Sequence, residues 1–268
     1  MVRYPAIRNV TAKSNFILVT FSPDSALIVS VARQPCLQFT AVATNNHMDY
    51  KQSILSISEV THNVRCLRIE KPEGYSFVPG QATEAAINKP GWAEEKRPFT
   101  FTCLNDDPYL EFTIKCYEDH DGVTNQVRNL QVGDELIIGD PWGAIEYNGE
   151  GYFIAGGAGI TPFIAILRQL SKDNKLNANK LFFSNRTAAD IIDEELLTAL
   201  LGKSAIYIVT DGPTDKYVRG YIDEHFLLEH IDDFKKHFYI CGPDKMVSAI
   251  SNILTTHGAN PEAVIFEK

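Results

Sequence analysis

Residues 151–169 read GYFIAGGAGITPFIAILRQ, an apolar run that breaks on glycines and resumes as an amphipathic segment. Tyr152, Phe153, Ile154 and Ala155 have the length and composition of a short buried strand, while Ile164, Leu167, Arg168 and Leu170 open a helix. Between them Gly156-Gly157-Ala158-Gly159 makes a turn too tight for most side chains. Thr161-Pro162 follows at once, and proline in a first turn marks where a helix starts. Such a turn brings free backbone N–H groups and the positive end of a helix to one point, where the phosphates of a dinucleotide can bind. Tight packing alone also accounts for glycines in this pattern, so the rest of the chain has to decide.

Downstream, apolar strands at 152–155, 180–184, 205–210 and 237–241 alternate with helical stretches at 162–171, 191–201, 221–228 and 244–257. That alternation is the mark of a parallel sheet with crossover helices. Ligands on such sheets lie beyond the carboxyl ends of the strands. Three loops therefore matter most: 156–162, 185–187 and Gly242-Pro243-Asp244.

Upstream the grammar is different. Short stretches at 53–60, 64–69, 84–87, 99–103, 110–117 and 132–138 alternate at period two or are bounded by turn residues, with one short helix, 124–130, behind Asp121-Gly122. Six such strands predict a closed antiparallel barrel. The expected chain is thus two-domain: a six-stranded β-barrel over 48–148, then an α/β parallel-sheet domain over 149–268. Residues 1–47 form a leader whose status stays open. It holds four basic residues against one acid, Asp24, so the acidic excess lies after it. Its apolar runs at 16–21 and 26–32 are split by Ser22-Pro23-Asp24-Ser25, which suits neither a signal-peptide core nor a membrane span. Two short strands, a disordered leader, or a true start at Met48 all fit.

Composition narrows the function class. The 268 residues are 44% hydrophobic and 22% charged, with no apolar run near the length of a span, which predicts a soluble globular protein. A net charge of −9 argues against a nucleic-acid surface. The five cysteines, Cys36, Cys66, Cys103, Cys116 and Cys241, are scattered without metal-clip or iron–sulfur spacing, and fit a reducing cytoplasm.

Four motifs in order carry a family likeness: Arg97-Pro98-Phe99-Thr100, Gly122-Val123-Thr124, 156–162 (GGAGITP) and Cys241-Gly242-Pro243-Asp244. Together they resemble the ferredoxin–NADP reductase superfamily over residues 49–268. The resemblance implies FAD in the barrel and NADPH or NADH on the parallel sheet. It implies that Arg97 holds the flavin pyrophosphate, as its planar cationic fork suits, although a surface pair with Glu94 or Glu95 would also explain an arginine here. Pro98 belongs to the same cofactor-binding motif, and Phe99 would lie against the flavin ring, with core filling as its other reading; Phe99 stands where the family more often has tyrosine, which removes a hydroxyl. Thr100, in place of a frequent serine, would face flavin N5. Lys115 and Tyr117 resemble the second flavin-binding strand, and Gly122, Val123 and Thr124 the pyrophosphate helix, with Thr124 expected to cap it.

On the nucleotide side Gly157, Ala158, Gly159, Thr161 and Pro162 resemble the loop under the NAD(P)H pyrophosphate and nicotinamide. Cys241, with Gly242, Pro243 and Asp244, resembles the segment beside the hydride-donating carbon, in a steric and polar role. Arg186 lies where a 2′-phosphate needs a cation and favours NADPH, while Asn185-Arg186-Thr187 also resembles NADH-using relatives. Phe266 is the candidate for the aromatic that covers the flavin. The implied activity is transfer of hydride from NAD(P)H to FAD, and of single electrons onward to a ferredoxin- or flavodoxin-like carrier. A reductase component of an oxygenase, a flavin or haem-protein reductase, and a regulatory protein on a reductase scaffold are the rivals.

Overall fold

A computed structural model describes residues 18–21, 27–30, 49–118, 121–143, 145–176, 178–260 and 264–266. The chain divides into two units, Met1–Met48 and Asp49–Lys268. In the first, β1 (Leu18–Phe21) and β2 (Leu27–Ser30) pair as an antiparallel hairpin, Leu18 opposite Ser30 and Phe21 opposite Leu27. The Ser22-Pro23-Asp24-Ser25 break falls between the two strands.

The second unit begins with β3 (Tyr50–Thr61) and β4 (Val64–Glu70), a hairpin turned at His62-Asn63. There follow β5 (Ala82–Ile87), β6 (Arg97–Thr100), β7 (Tyr109–Lys115), the short helix α1 (Val123–Gln126) and β8 (Glu135–Trp142). Their order in the sheet is β6-β5-β8-β3-β4-β7, all antiparallel. The two outer strands meet at the Phe101–Phe112 bridge, which closes the sheet on itself. Inside, Phe101 stacks on Phe77 with ring centroids 4.2 Å apart and lies 5.3 Å from Phe112, while Leu67, Ile69 and Leu136 fill the rest. Alternation dictates this, since the residues of β7 that face inward are the even-numbered Leu110, Phe112 and Ile114.

Six strands then form a parallel sheet in the order β12-β11-β10-β9-β13-β14. They are β9 (Gly151–Gly156), β10 (Lys180–Asn185), β11 (Ala205–Val209), the two-residue edge β12 (Val218–Arg219), β13 (His237–Cys241) and β14 (Val264–Phe266). Four helices connect them: α2 (Thr161–Lys172), α3 (Glu194–Leu201), α4 (Glu224–His230) and α5 (Asp244–Thr256). β9 pairs with β10 on one side and β13 on the other, and all six of its residues are buried. The chain first moves outward from β9 through β10 and β11, then returns to its other flank. That reversal opens a crevice at the carboxyl ends of β9 and β13.

Two of the observed helices start later than expected. The stretch expected as one helix over 191–201 is helical only from Glu194, and a 3₁₀ turn, Ala188–Asp190, closed by reciprocal Thr187 and Asp190 capping bonds, precedes it. Asp193, at φ +50°, breaks the backbone before α3 starts. The next helix starts at Glu224, not 221, because the Asp223 carboxylate caps it by accepting from Phe226 N at 2.9 Å. Thr124 does not cap α1. Gly122 occupies the cap position and no side chain serves there, so Thr124 lies within the helix.

Candidate functional site

A cavity of about 1100 Å³ opens between the barrel and the carboxyl ends of the parallel sheet. One wall is β6, β7 and α1; the other is the glycine turn after β9, the ends of β10 and β13, and one face of α5. Pockets for a single drug-sized ligand run from about 300 to 1,000 Å³, so this one has room for more.

On the barrel wall the alternation of β6 separates its side chains. Thr100 and Pro98 line the cavity. Phe99 touches the cavity too, but is only 8% exposed and belongs to the barrel core, its ring tilted 54° against Phe112 at 6.3 Å. Arg97 is not part of the lining. Its Nη1 donates to the Lys96 carbonyl at 2.7 Å and Nη2 lies 3.5 Å from the Glu95 carboxylate, the surface pairing that its neighbours made available. Lys115, Tyr117 and Thr124 line the cavity; Gly122 and Val123 do not, and Val123 is buried as the first residue of α1. Thr113, not singled out from the sequence, lies on the same face of β7 as Lys115 and lines the cavity.

On the sheet wall the glycines divide the work. Gly157 has φ +54°, a left-handed backbone that glycine adopts without strain. Gly159 serves close approach: a Cβ there would lie 2.2 Å from the Cys241 carbonyl oxygen and 2.7 Å from Gly242 N. The turn therefore packs backbone on backbone against the end of β13. Gly157, Ala158, Gly159 and Thr161 line the cavity with Cys241, Gly242 and Pro243. The Thr161 hydroxyl donates to the Ala158 carbonyl at 3.0 Å and ties the turn to the helix it starts. Pro162 is buried in the first turn of α2, and Asp244 opens α5; neither is in the lining. Phe266 ends β14 opposite Ile240, and its side chain lies outside the described residues.

Arg186 lines the cavity but is not a spare cation. Its Nε donates to Asp211 Oδ2 at 2.8 Å, and that pair raises the guanidinium pKa further. Lys216 lies outside the lining, held by Glu194 at 2.6 Å. Lys245 of α5 does line the cavity and, among the described residues, forms no ion pair. Asn185 is the residue most readily overlooked. It ends β10, lines the cavity and is 4% exposed, yet neither its amide nitrogen nor its amide oxygen has a hydrogen-bond partner. Its position at the carboxyl end of a buried strand was the available signal.

Residues 153–252 match the family described as the oxidoreductase NAD-binding domain. The reductase component of propane 2-monooxygenase from Rhodococcus jostii is 27% identical over 238 residues, which cover 82% of this chain and 63% of that protein. The chain is similar in sequence and fold to ferredoxin reductases and cytochrome b5 reductases. NADH-cytochrome b5 reductase 1 from Eremothecium gossypii is 28% identical over 249 residues, covering 85% of this chain and 86% of the relative. The fold also matches the crystal structure of a ferredoxin NADP+ reductase from Neisseria gonorrhoeae with bound FAD and NADP. That TM-score is 0.68 at 19% identity, over 78% of this chain and 92% of the other. The chain spans less than two thirds of the length of the oxygenase reductase component that it matches. In this fold the cavity lies between the two constituent sheets.

Proposed function

We propose that this chain is an NAD(P)H-dependent flavoprotein reductase, with FAD held by residues 48–148 and NAD(P)H by residues 149–268. The observation that carries this reading is that Thr100, from the antiparallel barrel, and Cys241, from the parallel sheet, line one cavity. The residues present fit such guests. A buried amide without a partner at Asn185, a backbone cradle at Gly157 and Gly159, and a cavity larger than one ligand needs all favour a dinucleotide beside a second large group.

When bound, FAD accepts two electrons as hydride from a reduced nicotinamide and gives them up singly, which nicotinamide cannot do. The chain's own contribution is position and electrostatics. Thr100, Lys115, Tyr117 and Thr124 would hold the flavin side. Gly157, Ala158, Gly159, Thr161, Asn185 and Lys245 would hold the nucleotide. Cys241 would fill the space beside the nicotinamide as a small apolar group with a weak donor. Arg97 reaches a pyrophosphate only by leaving Glu95. A 2′-phosphate at Arg186 meets the Asp211 carboxylate beside it, whereas NADH brings no such anion there.

For the acceptor we propose a protein carrier of the ferredoxin or flavodoxin kind, which suits a flavin that gives up its electrons singly. The names of the relatives favour a second reading, a reductase component that feeds an oxygenase. No helix of the described residues is long and apolar enough to cross a membrane, and a reducing cytoplasm is the compartment we propose.

Anaerobic stopped-flow mixing of the FAD-loaded protein with NADH and with NADPH tests the reading, followed by addition of ferredoxin, flavodoxin or an oxygenase component. Bleaching of the flavin by either nucleotide, and re-oxidation by one of the carriers, is expected. A protein that binds no flavin, or whose flavin neither nucleotide reduces, is instead a regulatory protein on a reductase scaffold.

A further inference from the structure

A buried carboxylate, Glu111, ties the barrel to the parallel-sheet domain. Glu111 of β7, with its side chain 3% exposed, accepts from Arg68 Nε on Oε2 at 2.9 Å, and on Oε1 from Arg168 Nη1 at 2.8 Å and the Thr102 hydroxyl at 3.1 Å. Arg168 belongs to α2, on the other side of the domain boundary, and the same Nη1 donates to the Thr102 carbonyl at 2.6 Å. The Thr113 hydroxyl continues the network with a 3.4 Å bond to Thr102 Oγ1.

Register shows where the two partners lead. On β7, Glu111, Thr113 and Lys115 share the face turned away from the barrel core, so the strand carries the tie to Lys115 on the cavity wall in about 13 Å. On α2, Arg168 lies seven residues from Thr161 and on the same helix face, so two turns, about 10 Å, carry it to the opposite wall. Two stiff rails are pinned at one end and hold the cavity between them at the other. Buried ion pairs contribute little net stability against apolar replacements, and in several systems their role is to specify one arrangement of the parts they join. Hydride transfer is a reaction that needs such an arrangement, because the reacting atoms must approach to about 3–3.5 Å.

We infer that Glu111 and Arg168 are a positioning pair that sets the separation of the two cavity walls, and through it the rate of hydride transfer; this rests on the reductase reading above. Three variants test it: Arg168→Met, Arg168→Lys and the double variant Glu111→Met/Arg168→Met, which removes both charges of the pair together and so guards against simple misfolding. In Arg168→Met the limiting rate of flavin reduction at saturating nucleotide falls at least tenfold, while FAD stays bound and nucleotide affinity stays within twofold. Arg168→Lys recovers part of the rate, and the double variant folds but stays slow. Calorimetry of the flavin-free protein gives a second readout: one unfolding transition in the unmodified chain, two in Arg168→Met. A rate within twofold of the unmodified protein in either methionine variant, or losses that track flavin or nucleotide binding, overturns the inference. If the unmodified protein takes hydride from neither nucleotide, the reductase reading fails. The pair is then judged by calorimetry alone, where an unsplit transition in Arg168→Met overturns it.

Discussion

Asn185 shows at the scale of one residue how a binding site differs from a core. A buried amide with neither atom paired costs folding free energy, roughly 1–3 kcal/mol by mutational measures. Asn185→Leu is therefore expected to raise the thermal midpoint of the flavin-free protein and, in the same variant, to weaken nucleotide binding by about tenfold, the loss of one or two hydrogen bonds. Thermal unfolding and a nucleotide titration of one preparation check both; unchanged binding makes the amide a packing residue. Nucleotide choice also belongs to this scale. Asp211→Asn releases Arg186 and removes a carboxylate from beside it, so the ratio of kcat/KM for NADPH over NADH should rise about tenfold, and Arg186→Ala should lower it. Equal effects on the two nucleotides would mean that the pair faces no phosphate. Arg186 was legible in the sequence as a cation at a strand end; its partner was not, because Asp211 lies 25 residues on, beyond a different strand.

At the scale of an element, the turn between β9 and α2 makes two glycines unequal. Gly159→Ala forces a Cβ to within 2.2 Å of a backbone carbonyl that cannot swing away, and should cost at least about 2 kcal/mol in urea unfolding. Gly157→Ala meets open space and pays only for the left-handed backbone, about 1–2 kcal/mol. Sequence alone made the turn legible but not that division, since the atom facing Gly159 comes from β13. The strands were readable for the same local reason throughout: period-two alternation in the barrel and short apolar runs in the parallel sheet follow from burial on one face or both. What local pattern missed was set by single residues, as where Asp193 turns left-handed and shortens α3, or where Gly122 takes the cap expected of Thr124.

For the whole molecule, the meeting of Thr100 and Cys241 at one cavity was implied by motif order, whereas the Glu111–Arg168 tie was invisible. A glutamate on a strand and an arginine on a helix are common, and only the docked domains bring them together. The tie has a pH signature. Burial alone would raise the Glu111 pKa, but the Arg168 charge and the bonds from Arg68, Arg168 and Thr102 outweigh it and hold the carboxyl below its ordinary 4.5. A carboxyl with a depressed folded value contributes its stability in full above the unfolded value and loses it as pH falls through the folded one. The urea midpoint of the unmodified protein should thus exceed that of Glu111→Gln at pH 7, and the gap should close as pH is lowered below about 4.5. Asp193, which burial pushes up, is raised further by the Glu111 charge, a contribution that Glu111→Gln removes and that offsets part of the gap at pH 7.

The central place of β9 also bears on how the chain is made. Its neighbour β10 leaves the ribosome soon after it, but β13, which covers its other edge, is not complete until Cys241 has been added. Throughout that interval of translation a wholly apolar strand presents one bare row of amides and carbonyls, the kind of template on which nascent chains stick to one another. Synthesis that pauses between residues 185 and 237 prolongs this exposure and gives chaperones a defined target.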